Sequence, residues 1–406
     1  LTPVAGAERF PASALRGGPL AGVRVCDLTR FLAGPYCTML LSDYGADVVR
    51  FEAREGREFR PPGASRDSYF FLSANRGKRS VTLDLRKPEG RELLLRLLPG
   101  FDVLVENFRP GVMQELGLSA ERLTRRFPRL VYCGISGFGP DGPYRDRPGL
   151  DQIAQGMSGF MSLTGTPETG PTRAGIAIGD VLAGMFAAQG IQLALLARER
   201  SGRGQIVNTS LLEAMIGVLT WGAGRYFENG NVPGPAGQHH PLSSPYGRFR
   251  ARDGYLNIAA ASDSQWQRLV GALGREAWLH DERFATPLER LRHRDALSSE
   301  IDAALAGEDV AHWVEVLNDA GVPAGPVLDV AQVFADPQVL AREMLVELEH
   351  PEVGTFRTTG LPVKLSRSPG AITRRPPLHG EHTEEVLSEA GLSELEIARL
   401  RREQVI

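Results

Sequence analysis

Residues 22–52 read GVRVCDLTRFLAGPYCTMLLSDYGADVVRFE. A short apolar run from Gly22 to Leu28 has the look of a buried strand. GPYCTMLLSDYG then places apolar residues at helical spacing and stops at Gly45, and a second strand-like run follows from Ala46 to Glu52. Strand, helix and strand in about thirty residues is the spacing of a βαβ unit, whose strands run parallel and whose helix covers the sheet.

The pattern continues outward. SVTLDL (80–85), FDVLVEN (101–107) and RLVYCGISG (129–137) are further strand signals. PEGRELLLRLLPG opens a helix on Pro88 and closes it near Gly100, the expected start and stop chemistry. In GIAIGDVLAGMF (175–186) a short strand-like run precedes Asp180, and a long helix runs on to about Arg200. QIVNTS (205–210) reads as a strand and LLEAMIGVLTWGAGRYF (211–227) as one helix. Residues 229–247 are rich in Gly, Pro and Ser and read as a loop and linker. RFRARDGYLNIAAAS predicts a strand pair turning at Asp253-Gly254, and helices fill roughly 264–320. GTFRTTGLPVKLS reads as strands, before a final acidic helix.

The fold class expected is α/β: a large Rossmann-like domain with a mostly parallel sheet, and a smaller α+β domain. The boundaries are a flexible N-terminal arm over 1–20, the large domain over 21–228, the linker over 229–247, the small domain over 248–330, and a C-terminal segment, 331–406, returning to the large domain.

Composition narrows the function. The chain has 406 residues, more than one ordinary core serves, with 42% apolar and 23% charged residues. A net charge of -3 gives no basic surface for nucleic acid. Three widely spaced cysteines, Cys26, Cys37 and Cys133, without a CxxC, argue against a disulfide framework or zinc site and for a reducing compartment. No uninterrupted apolar run reaches membrane-spanning length, and the first residues lack a signal-peptide pattern, so the expectation is a cytoplasmic protein with no membrane partner.

Several motifs are weighed and set aside. GFGPDG (137–142) fits GxGxxG, but Pro140 and Pro143 interrupt it and no apolar helix follows, so it reads as a loop. His239-His240 and the pair His379 and His382 lack partners at metal-ligand spacing, and HExxH and GxSxG are absent. Two acidic residues remain. Asp180 opens the long helix between Gly179 and Gly184; it is either an N-cap or a carboxylate nucleophile, and spacing leaves both readings open. Asp151, in RPGLDQIAQG, has the same two readings, with the helix beginning at Gln152 as the one it would cap.

Longer stretches carry a resemblance. DLTRFLAGPYCTMLLSDYGADVVRFE, NRGKRSVTLDLRKPEGRELL, VENFRPGVMQELGL, GFGPDGPYRDRPGLDQIAQGMSGFMSLTG, IGDVLAGMFAAQGIQLALLARERSGRGQ and HGEHTEEVLSEAGL resemble the class III coenzyme A transferases. That family includes formyl-CoA transferase, carnitine CoA-transferase and the related α-methylacyl-CoA racemases; the likeness runs from about residue 20 onward. It implies that Asp180 is the nucleophile and that two chains interlock as threaded rings in a homodimer. Coenzyme A would enter as an acyl-CoA substrate beside a small carboxylic acid, with no permanently bound cofactor and no metal.

Carried over by position, the resemblance implies CoA contacts at Ala33, Leu83, Arg86, Asn107 and Phe108, with Arg86 as the retained cation. Leu32, Ala53, Glu115 and Pro148 depart from the residue types of formyl-CoA transferase, and Arg54, Arg109 or Arg147 would supply the missing charge. Gly234, Gly237 and Gln238 stand where that enzyme has a glycine-rich lid. Asp151 aligns with a glutamate beside its site. Leu150 stands where the racemases carry a base histidine and cannot move a proton. CoA transfer is therefore the expected reaction. The alternatives are an acyl-CoA racemase or isomerase on the same scaffold, a NAD(P)-dependent oxidoreductase, and a non-catalytic CoA-binding paralogue.

Overall fold

The computed structural model describes residues 17–55 and 69–406. The part of the expected N-terminal arm up to residue 16 lies outside the described residues. Clustering of the backbone gives two units. The first holds the chain up to Phe160, Ala174–Ala223 and Leu340–Ile406; the second holds Met161–Arg173 and Gly224–Val339.

The first unit is built on six strands: β1 (Arg24–Asp27), β2 (Asp47–Glu52), β3 (Arg79–Thr82), β4 (Val103–Glu106), β5 (Val131–Ser136) and β6 (Ile206–Ser210). They form one sheet in the order β3-β2-β1-β4-β5-β6, and every pair is parallel. Val25 lies between Val48 and Val103, and Cys26, on the other face, between Val49 and Leu104, so the centre of the sheet is apolar on both faces. One face carries Cys26, Leu28, Val49, Phe51, Val81 and Leu104 and packs on helices Pro88–Leu97, Thr383–Glu389 and Glu394–Arg402. The other carries Val25, Val48, Val103, Val105 and Cys133 and packs on helices Ala33–Asp43 and Ile178–Ser201. The strand order reverses between β1 and β4. Loops leaving the two strands there part to opposite sides and open a crevice at their carboxyl ends.

Helix Ile178–Ser201 has 24 residues and ends at Gly202, whose φ of 70° closes it in the left-handed conformation. By length and composition it reaches membrane-spanning size, which reading for uninterrupted apolar runs misses. Its small residues Ala183, Gly184, Ala187 and Ala188 are buried against the sheet side. A Cβ at Gly184 would stand 2.6 Å from the carbonyl oxygen of Ala33, so only glycine permits this approach of two helices.

Three local expectations are corrected. No strand precedes Asp180; residues 171–177 are bends and coil. The helix expected over 211–227 breaks into Leu211–Gly217 and Thr220–Asn229, because Thr220 takes a φ of 41°. The final acidic helix is two helices, each short, with basic Arg399, Arg401 and Arg402 in the last turn of the second. A hairpin of β10 (Leu345–His350) and β11 (Gly354–Thr359) belongs to this unit.

The second unit has a three-stranded antiparallel sheet, β7 (Tyr246–Arg250), β8 (Tyr255–Ala259) and β9 (Ala324–Pro326), in that order. Phe249, Leu256, Ile258, Trp266, Trp278, Phe284, Trp313 and Leu317 fill its core, with Trp266 and Trp278 stacked at 6.1 Å.

Candidate active site

Helix Ile178–Ser201 starts after Ala177, which has no side chain to cap it. Asp180 is the third helical residue and does not cap the helix. The cap arrives from elsewhere. Asp151 is the first residue of helix Asp151–Met157, and its Oδ1 accepts from the N–H of Gly179 at 2.8 Å and of Asp180 at 3.4 Å. Its Oδ2 accepts from Gln155 Nε2 at 2.7 Å, and Gln155 Oε1 accepts from the N–H of Ala174 at 2.9 Å. A Cβ at Gly179 would meet Asp151 Oδ1 at 3.0 Å, which explains the glycine before Asp180. The cap reading offered for Asp151 is corrected in its target: Leu150 caps its own helix position by backbone alone, and the Asp151 carboxylate serves the helix of Asp180.

Asp180 itself is half-buried, and among the described residues its carboxylate accepts no hydrogen bond. Burial, and then the negative charge of Asp151, raise its pKa from 3.8 to about 7. The helix N-terminus alone would favour the ionised form. Here its first free N–H groups are occupied by Asp151, so among the described residues Asp180 keeps an unengaged oxygen pair that is part protonated near neutrality. Leu150 is 70% exposed and offers no titratable group beside it.

The switch-point crevice lies on the opposite face. It is a cleft of about 460 Å³ formed at the carboxyl ends of β1 to β4. Leu28, Phe51 and Leu83 form an apolar floor, and Arg30, Arg86, Asn107, Phe108 and Arg109 stand around it. Asn107 clamps the loop after β1, accepting from the N–H of Arg30 at 2.7 Å and donating to its carbonyl at 2.8 Å. Of the five CoA contacts that the resemblance implies, the structure gathers Leu83, Arg86, Asn107 and Phe108 here, with Arg109 beside them. Ala33 does not line the cleft; it is 3% exposed and packs beside Gly184. Arg86 donates to both oxygens of Asp84 at 2.9 Å and lies 3.7 Å from Glu55. Of the arginines expected to replace missing charge, Arg109 lines the cleft. Arg54 reaches the carbonyl of Gln404, and Arg147 lies over the Tyr144 ring. Arg30, whose guanidinium sits 5.2 Å above the Phe108 ring, is the residue that sequence reasoning missed. Its place one residue beyond Thr29, at the end of a first parallel strand, is the signal that would have found it.

Behind the wall shared by Phe108 and Arg109 lies a cavity of about 360 Å³ under β4 to β6. Glu106 lines it, and burial raises its carboxyl to about 7 although Phe108 N–H and Tyr132 Oη both donate to it.

The expected lid residues lie in the second unit. Gly237 has a φ of 65° and donates its N–H to Gly165 at 2.9 Å; Gln238 accepts from Arg248 through both its carbonyl and its side chain. His379 and His382 serve the first unit's packing, the first bonded to the carbonyl of Ala53 and the second accepting from Ser80 N–H.

Three comparisons bear on this geometry. A family model described as CoA-transferase family III matches residues 20–383. An acyl-CoA transferase of Fusarium pseudograminearum is 37% identical over 403 residues, covering 96% of this chain and 88% of the relative. A succinate–glutarate CoA-transferase of Agrobacterium fabrum is 38% identical over 384 residues, covering 92% and 96%. A solved structure of a CaiB/BaiF family protein from Brucella suis superposes with a TM-score of 0.83 at 38% identity, over 92% of this chain and all of that one.

Proposed function

The chain belongs to CoA-transferase family III, and from that premise we propose that it transfers CoA between two carboxylic acids through a covalent intermediate on Asp180. The observation that carries the proposal is the Asp180 carboxylate, unengaged at the start of a helix whose N–H groups Asp151 already caps.

An Asp180 oxygen attacks the donor thioester carbonyl. The C–S bond breaks, CoA leaves as thiolate, and a mixed anhydride remains. The thiolate attacks the aspartyl carbonyl and expels the donor acid as carboxylate, leaving an aspartyl-CoA thioester. The acceptor carboxylate displaces the thiolate to form a second anhydride, and the thiolate then takes the acceptor's acyl group and frees Asp180. No proton is gained or lost overall. Asp151 holds the helix end fixed while its charge keeps Asp180 basic. Leu150 supplies no base, which favours transfer over proton exchange at an α-carbon.

The apolar floor and surrounding arginines of the cleft support it as the seat of the nucleotide end of acyl-CoA. The name of the Agrobacterium relative pairs succinate with glutarate, and on that likeness we place the acids of this chain among small dicarboxylates. Exposed Leu193, Leu196 and Trp221 support burial against a second copy in a homodimer, and the free, buried Cys26, Cys37 and Cys133 support a reducing compartment, the cytoplasm.

Intact-protein mass spectrometry after incubation with an acyl-CoA tests the mechanism. A CoA adduct that maps to Asp180 and vanishes in Asp180→Asn is the expected result. Normal turnover by that variant would overturn it.

A further inference from the structure

The cleft holds an arginine that no acidic side chain among the described residues neutralises. Arg30 stands three residues after the end of β1. Among the described residues its guanidinium has no hydrogen-bond or ion-pair partner, only the Phe108 ring at 5.2 Å. Arg86, by contrast, is engaged by Asp84 and Glu55. The Arg109 side chain also lacks an acidic partner among the described residues, but its backbone is not clamped as Arg30's is: Asn107 binds both the N–H and the carbonyl of Arg30.

The support below Arg30 is stronger still. Asp27 and Lys78 are both 0% exposed and lie 3.1 Å apart. Asp27 Oδ1 accepts from Thr29 N–H at 2.8 Å and Thr29 Oγ1 at 2.5 Å, and Oδ2 accepts from Thr38 Oγ1 at 2.6 Å. Lys78 Nζ also donates to the carbonyl of Pro35 and to Asn75 Oδ1, both at 2.9 Å. The pair thus ties the end of β1, the first turn of helix Ala33–Asp43 and the segment before β3 to one point. Above it, Phe31 holds a φ of 62°, a conformation that residues with a Cβ rarely adopt and that persists only when neighbours enforce it. This is preorganisation: the loop is fixed in advance so that binding need not order it.

We infer that Arg30 is the cation that meets the phosphates of the CoA thioester, and that the buried Asp27–Lys78 pair with Thr38 is the positioning device that aims it. The inference rests on the cleft being the CoA site. A planar guanidinium stacked on an aromatic ring presents its N–H fork outward, the geometry that suits phosphate oxygens. Burial, and then the positive charges of Arg50 and Arg86, lower the Arg30 pKa. An incoming phosphate relieves that repulsion.

The test compares an acyl-CoA with the matching acyl-pantetheine, which carries the same thioester and no phosphate. In Arg30→Ala the ratio of kcat/KM for acyl-CoA to that for acyl-pantetheine falls about 10- to 100-fold, the worth of a charge-assisted phosphate contact. Thr38→Val, which deletes one hydroxyl from the buried network, lowers the same ratio several-fold. An unchanged ratio in Arg30→Ala overturns the assignment, as does an equal loss with both substrates. A reduced ratio in Arg30→Ala with no change in Thr38→Val removes the positioning role alone. Val112→Trp, which fills the cleft, separates the two readings. If it leaves CoA affinity intact, the cleft is not the CoA site; if it destroys affinity while Arg30→Ala does nothing, only the Arg30 inference fails.

Discussion

At the carboxyl ends of β1 to β4 the chain gathers Arg30, Arg86 and Arg109 around an apolar floor. At the start of helix Ile178–Ser201, on the other face of the same sheet, it gathers two carboxylates. The cations are solvent-reaching, and the loop that carries Arg30 is locked from beneath, so charge there is presented. The carboxylates are half-buried, and one consumes the helix amides that would have quieted the other, so charge there is resisted. Arg86, pointing to solvent with Asp84 beside it, is held far up in pKa, whereas Asp180 is pushed toward its neutral form. In the proposed function the first region holds the ligand and the second keeps a destabilised group ready to react.

The strongest way to break this contrast is Asp180→Asn. Transfer should fall by on the order of 10³-fold or more, while CoA binding persists, as steady-state rates and calorimetric titration will show. The same variant should be the more stable protein at alkaline pH. Unfolded, Asp180 ionises near 3.8; folded, near 7, so its contribution to stability declines as pH rises from about 4 to about 7 and stays low above. Thermal melts of the two proteins should converge near pH 4 and separate above pH 7, and a parallel pair of curves would contradict the raised pKa.

Turnover of the parent enzyme sharpens the comparison next. In the proposed mechanism the ionised carboxylate attacks, so kcat/KM at saturating acceptor should climb with pH through about 7 and then level. Asp151→Asn keeps an oxygen for Gly179 but removes the charge. It should move that inflection toward acid by about one unit, leaving the part due to burial in place. Gly184→Val tests the close contact between helices Ala33–Asp43 and Ile178–Ser201 on the Asp180 side of the sheet. Its Cβ would meet the Ala33 carbonyl at 2.6 Å, and denaturant unfolding should show a loss of about 1–3 kcal/mol. Arg86→Ala is the mildest, since the side chain is 57% exposed and already engaged by Asp84; KM for acyl-CoA should rise no more than about threefold.

Much of the sheet is legible in the sequence for a physical reason. Parallel strands covered on both faces leave unbroken apolar runs, as in Val103–Val105, and Pro88 and Gly202 mark helix ends by their own backbone limits. Spacing alone narrowed Asp180 to cap or catalyst, and only the family resemblance favoured the nucleophile, because the true cap, Asp151, lies in a different helix with its own local reading. The break at Thr220 is hidden since apolar spacing continues straight through it. The place of Arg30 after the first strand could be read from sequence, but the clamp on it could not: Asn107 reaches its backbone only because β4 neighbours β1. Pairings across the chain of this kind are set by topology, and residue type does not announce them.

The strands that floor the cleft are finished by the last residues of the chain. Val386, Leu387, Leu392, Ile397, Leu400, Val405 and Ile406 pack into the core with Leu28 and Leu83, and the N–H of Asp84 donates to the Val405 carbonyl at 2.8 Å. During synthesis those strands emerge first and then wait. The core running from Phe249 to Val322 closes within one continuous stretch while one face of the earlier sheet still stands bare. In order of synthesis, the inserted unit has its whole core in hand before residues 386–406, which cover the face carrying Leu28 and Leu83.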